Sequence, residues 1–279
     1  MQPTLVEHPP DGSEWLSEIK WDGYRTHIAV GEGRAHCFTR RGHDWTKRYQ
    51  HVADEAARLP CTSALLDGEM ILADWAGASD FGSLEAAIGV TPERLTFVAF
   101  DLLRLDGSDL RRWPLTERRR ELERLIGRSG NAVHFSQSLP GTPAQVFALA
   151  EQAGLEGIVC KRAGSRYVSG RTRDWLKVKC FDEADFNLIG VRREPGKPAM
   201  AALGRDGRHV GNAFIVLSGR KREQLWALVE ASPGPPPKGV SDSGTIEWLR
   251  PGIVARVRYP RGEKALRHAT LRDWREADG

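Results

Sequence analysis

The 279-residue sequence contains no run of about 18 uncharged apolar residues, which is the length that a transmembrane helix needs. Its first segment, Met1 to Lys20, mixes apolar residues with charges and prolines and does not match a signal peptide. The cysteines form no C-x-x-C pair and no zinc-binding cluster with histidine; they are Cys37, Cys61, Cys160 and Cys180. These absences exclude membrane and secreted classes and predict a cytoplasmic protein with free thiols.

Two common nucleotide-binding fingerprints are also missing. The chain has no G-x-x-x-x-G-K-[ST] phosphate loop, and Gly31-x-Gly33 lacks the third glycine and following helix of a dinucleotide site. Hydrophobic residues make up 40% and charged residues 28%, which is enough apolar material for a core. A chain of this length favours one or two domains.

Positive charge is concentrated at the C-terminal end. Residues 183–279 contain 17 Lys plus Arg against 12 Asp plus Glu, whereas residues 1–182 contain 24 against 25. This asymmetry fits a C-terminal module that faces phosphates, and a solvated basic surface explains it equally well.

The pattern of apolar residues predicts short strands with few helices. A hairpin is expected over Ile28–Thr39, and a helix over Pro143–Ala153 that Thr142 caps. Leu115, Leu122, Leu125 and Ile126 recur at helical spacing, and the run Arg118-Arg119-Arg120 among them is interpreted as the solvated face. Further strands are predicted at Ala64–Ala73, Thr96–Leu103, Gly157–Lys161 and Trp175–Cys180.

The C-terminal region reads as a small antiparallel barrel interrupted by one helix, Arg220–Glu230. This pattern is typical of an OB-type module, and several other β folds also fit it. The predicted strands are Phe186–Arg192, Met200–Leu203, Phe214–Leu217 and Ile253–Tyr259.

The segment Lys20-Trp21-Asp22-Gly23-Tyr24-Arg25 lies between two predicted strands. It offers an amine, a glycine that lets backbone approach and a guanidinium that can grip phosphate. At an ordinary pKa of about 10.4 a lysine is a poor nucleophile, and nearby cations would lower that pKa. Lys177 and Lys179 share one face of a predicted strand and could supply such charge, or could simply form a polar surface.

Three further clusters suit the same pocket: Asp67-Gly68-Glu69, Phe100-Asp101 and Glu156-Gly157 through Lys161. Glu69 and Glu156 fit a hard, oxygen-ligated ion such as magnesium, and Phe100 could stack on a base. Taken singly, each also reads as a surface charge or a core aromatic.

Taken together and in this order, these segments resemble the nucleotidyltransferase core of ATP-dependent DNA ligases, a superfamily shared with RNA ligases and capping enzymes. The matching motifs are Lys20-x-Asp22-Gly23-x-Arg25, Thr39-Arg40-Arg41-Gly42, Asp67-Gly68-Glu69, Phe100, Glu156-Gly157-x-x-x-Lys161 and Lys177-x-Lys179. More narrowly, Tyr167…Gly170-Arg171…Trp175 and Leu266-Arg267-His268 resemble the ligase domain of bacterial end-joining ligase D, and the resemblance covers essentially the whole chain.

The resemblance implies an α+β fold, with an adenylation (nucleotidyltransferase) domain of antiparallel sheets and flanking helices over 1–182 and a small β-barrel OB-fold domain over 183–279. It also implies that Lys20 takes AMP from ATP as lysyl-AMP, passes it to the 5′-phosphate at a nick, and so allows the 3′-hydroxyl to seal the strand. The implied nucleotide-binding residues are Glu18 at the adenine amino group, Ile19, Lys20, Arg25, Arg40, Glu69, Phe100 on the adenine face, Glu156, Lys177, Lys179 and Arg275; the implied ligands of Mg or Mn are Glu69 and Glu156.

Two positions depart from the family pattern near Arg275. Ala269 stands where a proline is expected after Arg-His, and Arg275-Glu276-Ala277-Asp278 lacks the basic residue that follows the acidic pair. Both departures concern the segment whose Arg275 the resemblance assigns to pyrophosphate binding.

The expected partner is nicked duplex DNA, with a Ku-like end-binding protein and polymerase or nuclease modules as further candidates and no membrane. The protein is expected to be a monomer in the bacterial cytoplasm, at the nucleoid when it acts in repair or end joining. Two other functions stay open: RNA ligation or capping, which shares the lysine chemistry, and a catalytically idle nucleic-acid-binding protein.

Overall fold

A computed structural model describes residues 1–72, 81–127, 132–237, 245–261 and 266–277 of the chain. The chain divides into two compact units, Met1–Cys180 and Phe181–Gly279. In the part of the chain so described, no helix is both long and apolar enough to cross a membrane. All four cysteines are free thiols, as predicted.

The first unit is built mainly of strands. They are β1 (Gln2–Val6), β2 (Trp15–Ile19), β3 (Tyr24–Gly31), β4 (Arg34–Thr39), β5 (Ser63–Leu72), β6 (Leu95–Leu105), β7 (Ser108–Asp109), β8 (Val133–Phe135), β9 (Ser138–Leu139), β10 (Gly157–Arg162) and β11 (Arg171–Lys179). The helices are α1 (Gln50–Ala56), α2 (Phe81–Val90), α3 (Leu115–Ile126) and α4 (Pro143–Gln152), with 3-10 turns at Thr46–Tyr49 and Pro92–Arg94.

One sheet of this unit has the strand order β1-β11-β10-β2-β9. Because side chains alternate along a strand, Ile158 and Cys160 of β10 lie on the face that packs on α4, together with Val178 of β11. Helix α4 begins as predicted, with Thr142 and Gln145 forming a reciprocal capping box. The opposite face of the sheet is left for polar side chains.

The other sheet has the order β4-β3-β5-β6-β7, and β8 pairs with β6. Its apolar face packs against α1, α2 and α3, with Ile28, Leu66, Phe97 and Leu102 in the core. The predicted hairpin is confirmed, and the turn between β3 and β4 places Glu32 and Gly33 at positive φ. The predicted strand Ala64–Ala73 begins one residue earlier, and Ala73 lies outside the described residues.

The prediction of antiparallel sheets is confirmed only in part, because both sheets of this unit are mixed. Strand β1 pairs with β11 in parallel, and so does β8 with β6. A parallel pair requires a long crossover, and more than 160 residues separate the two strands β1 and β11. Local hydrophobic alternation carries no signal for such a distant pairing.

The interpretation of Arg118 and Arg119 as solvated is also wrong. Helix α3 forms as predicted, but both arginines are buried beside Leu115 and Leu122, and Arg120 alone of the three is exposed. Positions 118 and 119 follow Leu115 by three and four residues, so the helical repeat places them on the apolar face. Buried carboxylates compensate their charge, as described below.

The second unit contains β12 (Phe181–Arg192), β13 (Met200–Arg205), β14 (Arg208–Ile215), α5 (Gly219–Ala231), β15 (Glu247–Trp248), β16 (Ile253–Pro260) and β17 (Leu266–Glu276). The strands follow the order β13-β14-β17-β16-β12, and β12 also pairs with β13, so the sheet closes on itself. Strands β14 and β17 are parallel, which again departs from an antiparallel barrel. The strand predicted at Phe214–Leu217 ends at Ile215 and begins at Arg208.

Candidate active site

A cavity of about 270 Å³ lies between the polar faces of the two sheets in the first unit. The strand register explains its lining, because Glu18 of β2, Val159 of β10 and Lys177 of β11 stand opposite one another across neighbouring strands. The lining residues include most of the predicted set: Glu18, Ile19, Lys20, Arg25, Arg40, Glu69, Phe100 and Lys177.

Lys20 follows β2 directly and forms an ion pair with Glu156, which precedes β10. The Lys20 backbone N–H donates to the Gly157 carbonyl at 2.9 Å, so the two motifs are joined through the main chain as well. The second carboxylate oxygen of Glu156 lies 3.2 Å from the Lys179 ammonium. Glu156 thus connects the predicted nucleophile with a second lysine.

Glycines allow these segments to approach one another. A Cβ on Gly157 would lie 2.1 Å from the Val178 carbonyl oxygen, and one on Gly23 would lie 2.1 Å from the Met70 carbonyl oxygen. Gly157 also adopts φ +147°, a conformation that other residues rarely take. Glycine is therefore required at both motifs for steric reasons.

Positive charge accumulates beside Lys20. Lys177 is half-buried, and its pKa is lowered, first by burial and then by the positive charges of Lys20 and Lys179. An anion such as a triphosphate would relieve this repulsion.

Arg25 is held by a buried carboxylate. Its Nε and Nη2 donate to Asp67 at 2.8 and 2.6 Å, and the Tyr167 hydroxyl donates to the same carboxylate at 2.9 Å. Burial alone would raise the pKa of Asp67, but Arg25 and His27 hold it well below its usual range. Asp67 therefore orients the guanidinium that the sequence predicts near ribose or phosphate.

Glu69 presents an unpartnered carboxylate to the cavity. It lies opposite Arg25 in the strand register, yet it accepts no hydrogen bond and enters no ion pair with any described residue. Burial, with the negative charges of Asp67 and Glu156, raises its pKa to about 7 against the opposing effect of Arg25 and Lys20. Such a carboxylate fits a divalent cation, although no group of three or more His, Cys, Asp or Glu suited to a metal exists among the described residues.

The ring of Phe100 forms an aromatic wall of the cavity. It meets Trp175 edge to face at 5.8 Å, and the Lys161 ammonium lies 4.3 Å from its centroid. Burial lowers the pKa of Lys161 to about 8, although Glu18 opposes this shift. The wall offers a flat surface next to cationic groups, which suits a nucleobase.

Glu18 is buried and accepts three hydrogen bonds or ion-pair contacts. Its Oε1 contacts Arg119 Nη1 at 2.6 Å and Lys161 Nζ at 2.7 Å, and its Oε2 accepts from the Ser136 hydroxyl at 2.6 Å. Arg119 and Ser136 were not predicted as site residues. The helical repeat, which places Arg119 on the inner face of α3, could have identified Arg119 from the sequence. Ser136 belongs to no motif, so the sequence does not indicate its role.

Two further predicted residues have exposed side chains. Arg40 lies at the edge of the cavity lining, and its backbone N–H donates to the Arg25 carbonyl at 3.1 Å. Arg275 lies on β17 of the second unit, where its guanidinium is 3.2 Å from Asp185. The nucleotide-binding roles of both residues stay predictions.

Comparison with known proteins shows which family the chain belongs to. The protein-family model for the ATP dependent DNA ligase domain matches residues 6–179. The chain belongs to the ATP-dependent DNA ligase family. The predicted resemblance is thereby confirmed.

Among relatives of this chain, the multifunctional non-homologous end joining protein LigD of Pseudomonas aeruginosa is 36% identical over 98% of the chain, and that of Mycobacterium bovis is 32% identical over 88%. The chain spans about a third of the length of these relatives, 35% and 34% respectively. Two solved structures also match: mycobacterial DNA ligase D with ATP and MES, at 27% identity, and the ligase domain of M. tuberculosis LigD, at 28%. Both superpose with a TM-score of 0.59; the alignments cover 99% and 98% of this chain and 95% and 94% of those chains.

The cavity of this chain combines an amine, several cations, an unpartnered carboxylate and an aromatic wall. Together these groups can bind a nucleoside triphosphate and stabilise charge on its phosphates. They are the components that transfer of a nucleotidyl group to lysine requires.

Proposed function

We propose that this protein is an ATP-dependent DNA ligase that seals nicks in duplex DNA through lysyl-AMP and DNA-adenylate, in DNA repair or end joining. The observation that carries the proposal is the position of Lys20, whose ammonium contacts Glu156 in a cavity also lined by Lys177 and Phe100. The family match and the LigD relatives support the same activity.

In the first step the neutral amine of Lys20 attacks the α-phosphate of ATP. A P–N bond forms, the bond to the β-phosphate oxygen breaks and pyrophosphate leaves. Lys177 and Lys179 stabilise charge on the phosphate oxygens, and Phe100 stacks on adenine. Glu18, Ile19, Arg25, Arg40 and Glu69 complete the nucleotide site, and Arg275 contacts pyrophosphate.

In the second step the 5′-phosphate at the nick displaces Lys20 from AMP and forms DNA-adenylate. The 3′-hydroxyl then attacks that phosphate, AMP leaves and the phosphodiester bond is made. Glu69 and Glu156 are the residues that would hold Mg²⁺ or Mn²⁺, which supplies positive charge to phosphate oxygens.

We propose two domains, an adenylation domain over 1–182 and an OB-fold domain over 183–279. The barrel order β13-β14-β17-β16-β12, with parallel β14 and β17 and a helix after β14, supports an OB-type module. The positive excess of this region supports binding to DNA phosphates. We expect affinity for DNA to fall by about 0.9 log units per log unit of salt for each phosphate neutralised.

The partners follow from the relatives. Because the LigD relatives are named as multifunctional end-joining proteins and are about three times as long, polymerase or nuclease modules and a Ku-like end-binding protein are proposed partners of this ligase. The proposed state is a monomer that acts at the bacterial nucleoid.

The test incubates the protein with α-labelled ATP and Mg²⁺, after treatment with pyrophosphate to remove any bound AMP, and then adds singly nicked DNA. We expect label on the protein and then strand joining. Lys20→Ala should abolish both, whereas Lys47→Ala, at an exposed lysine, should change neither. Label from GTP instead would indicate capping chemistry, label from ATP without DNA joining would indicate RNA ends or a missing partner, and no label would overturn the proposal.

A further inference from the structure

The buried group around Glu18 consists of Glu18, Arg119, Ser136 and Lys161, and we call it the Glu18 clamp. None of the four is more than 6% exposed. Glu18 lies on β2, Arg119 on α3 and Lys161 on β10, and Ser136 directly follows β8. Glu18 and Lys161 line the same cavity as Phe100. A carboxylate surrounded by partners at this depth has a restricted number of ways to meet a ligand.

The Glu18 carboxylate still has room to accept a hydrogen bond from a ligand. A carboxylate offers about four lone-pair positions, two on each oxygen. Arg119 donates to Oε1, which the Lys161 ammonium also approaches to 2.7 Å as an ion-pair partner, and Ser136 donates to Oε2. Oε2 therefore keeps an open acceptor position, and an ionised carboxylate has no hydrogen to donate.

Arg119 also fixes where this acceptor points. Its Nη2 donates to the Ser136 carbonyl at 2.6 Å, and its Nη1 lies 3.4 Å from the Phe100 carbonyl. The guanidinium thus ties the carboxylate to the backbone of the aromatic wall. Because Glu18 and Phe100 line the same cavity, a base stacked on Phe100 would meet this carboxylate in one fixed orientation.

We propose that Arg119, Ser136 and Lys161 are positioning residues that hold the Glu18 carboxylate in one orientation, in which it can only accept a hydrogen bond from the base. The site then accepts a nucleotide whose base carries an exocyclic amino group and rejects one whose base carries a 6-oxo group. An amino group donates to the remaining position on Oε2. A 6-oxo oxygen faces a lone pair of a charged carboxylate and leaves both groups unpaired, which is costly when buried. This inference rests on the proposed function and adds the residues that set its nucleotide selectivity.

Loss of one partner should loosen the selection. In Arg119→Met, one cation and the tie to the Phe100 carbonyl are lost, so the carboxylate can rotate and no longer presents one fixed acceptor to the base. The charged groups that then remain near Glu18 are Lys161 and, beyond it, Asp101. Ser136→Ala removes a single hydroxyl with little change of volume, so Oε2 loses the donor that fixes its orientation.

The experiment compares labelling by ATP and by inosine triphosphate, which differ at the 6-position of the base and so isolate that contact. We expect the native protein to prefer ATP by at least about a hundredfold in kcat/KM for labelling. In Arg119→Met and Ser136→Ala this ratio should fall by about tenfold or more. Arg120→Met, at the exposed neighbour on α3, should keep the native ratio.

Two results overturn the inference. One is a native protein that labels equally with both nucleotides; the other is a folded Ser136→Ala or Arg119→Met variant that is slower with both but keeps the native ratio. If the native protein takes label from neither nucleotide, the proposed function fails instead. Direct titration of ATP and inosine triphosphate by calorimetry then still measures the base preference, and equal affinities would overturn the clamp.

Discussion

The ammonium of Lys20 forms an ion pair with one carboxylate oxygen of Glu156, although the two residues lie 136 positions apart in the sequence. The other oxygen of the same carboxylate contacts Lys179 at 3.2 Å. Glu156 therefore screens two like charges from each other and sets the position of the amine. Lys20 must lose a proton before it can act as a nucleophile, so this contact has to be exchanged when a nucleotide binds.

We expect Glu156→Gln to slow protein labelling by ATP by about a hundredfold, in the range seen when one preorganised polar group is removed from an active site. The amide keeps the shape of the side chain but removes the charge that holds Lys20 and Lys179 together and one proposed metal ligand. Rapid-quench measurement of labelling at saturating ATP checks this. Glu117→Gln, at an exposed carboxylate of α3, should label at the native rate, and an equally fast Glu156→Gln would contradict the prediction.

Arg118 and Asp101 form a fully buried ion pair, with Nε and Nη2 donating at 2.7 and 2.8 Å. Arg118→Met should lower the free energy of unfolding by about 3 to 5 kcal/mol, because it leaves the Asp101 carboxylate buried without its cationic partner and with only the Leu102 backbone N–H as a donor. Arg120→Met should change it by less than about 0.5 kcal/mol, since Arg120 is exposed. Urea denaturation measures both, and similar values for the two variants would refute this account.

Much of the fold was predictable because its signals are local. The hairpin at Glu32-Gly33, the cap at Thr142 and the helix Leu115–Ile126 each follow from a short stretch of sequence. The parallel pairing of β1 with β11 was not predictable, because its partners are distant and its register shifts between Pro3 and Thr4.

The residues of the site also fall into those that the sequence predicted and those that it did not. Motif order suggested that Lys20, Glu69 and Phe100 share a pocket, and they line one cavity. Arg119 was not predicted as a site residue, because an arginine in a charged run is usually solvated. Only its helical position relative to Leu115 indicates that it is buried. The partner that makes this burial tolerable, Glu18, is 101 residues away and carries no local signal.

The raised pKa of Glu69 predicts a pH-dependent stability. Burial raises this pKa from 4.5 to about 7, so between these values the folded protein holds a proton that the unfolded chain has released. The free energy of unfolding must then fall as the pH rises through this window. Glu69→Gln removes this effect, so its Tm relative to the native protein should be higher at pH 8 than at pH 5.

Thermal melts in EDTA at the two pH values check the Glu69 prediction without interference from bound metal. The matched control is Glu117→Gln, whose exposed carboxylate should give the same Tm difference at both pH values. A Glu69→Gln variant that behaves like this control would show that Glu69 titrates as an ordinary carboxylate.

Gly23 is expected to tolerate no side chain. A Cβ there would lie 2.1 Å from the Met70 carbonyl oxygen, which belongs to backbone and cannot move aside cheaply. Gly23→Ala should therefore lower both Tm and the rate of protein labelling, because the segment that follows Lys20 is displaced from β5. Gly31→Ala, where nothing lies within 4 Å of the added Cβ, should leave both close to native, and equal effects at the two glycines would exclude a steric cause.

Arg275 offers a test that separates the steps of the proposed reaction. Its ion pair with Asp185 is exposed and contributes little to stability, so Arg275→Ala should fold normally. If the guanidinium contacts pyrophosphate, its loss should slow labelling by ATP by about tenfold or more, whereas nick sealing by enzyme that already carries AMP should change less than about twofold, because pyrophosphate has left by then. Arg124→Ala, at an exposed arginine of α3, is the control and should affect neither step. Equal losses in labelling and in sealing would assign Arg275 to DNA binding rather than to the first step.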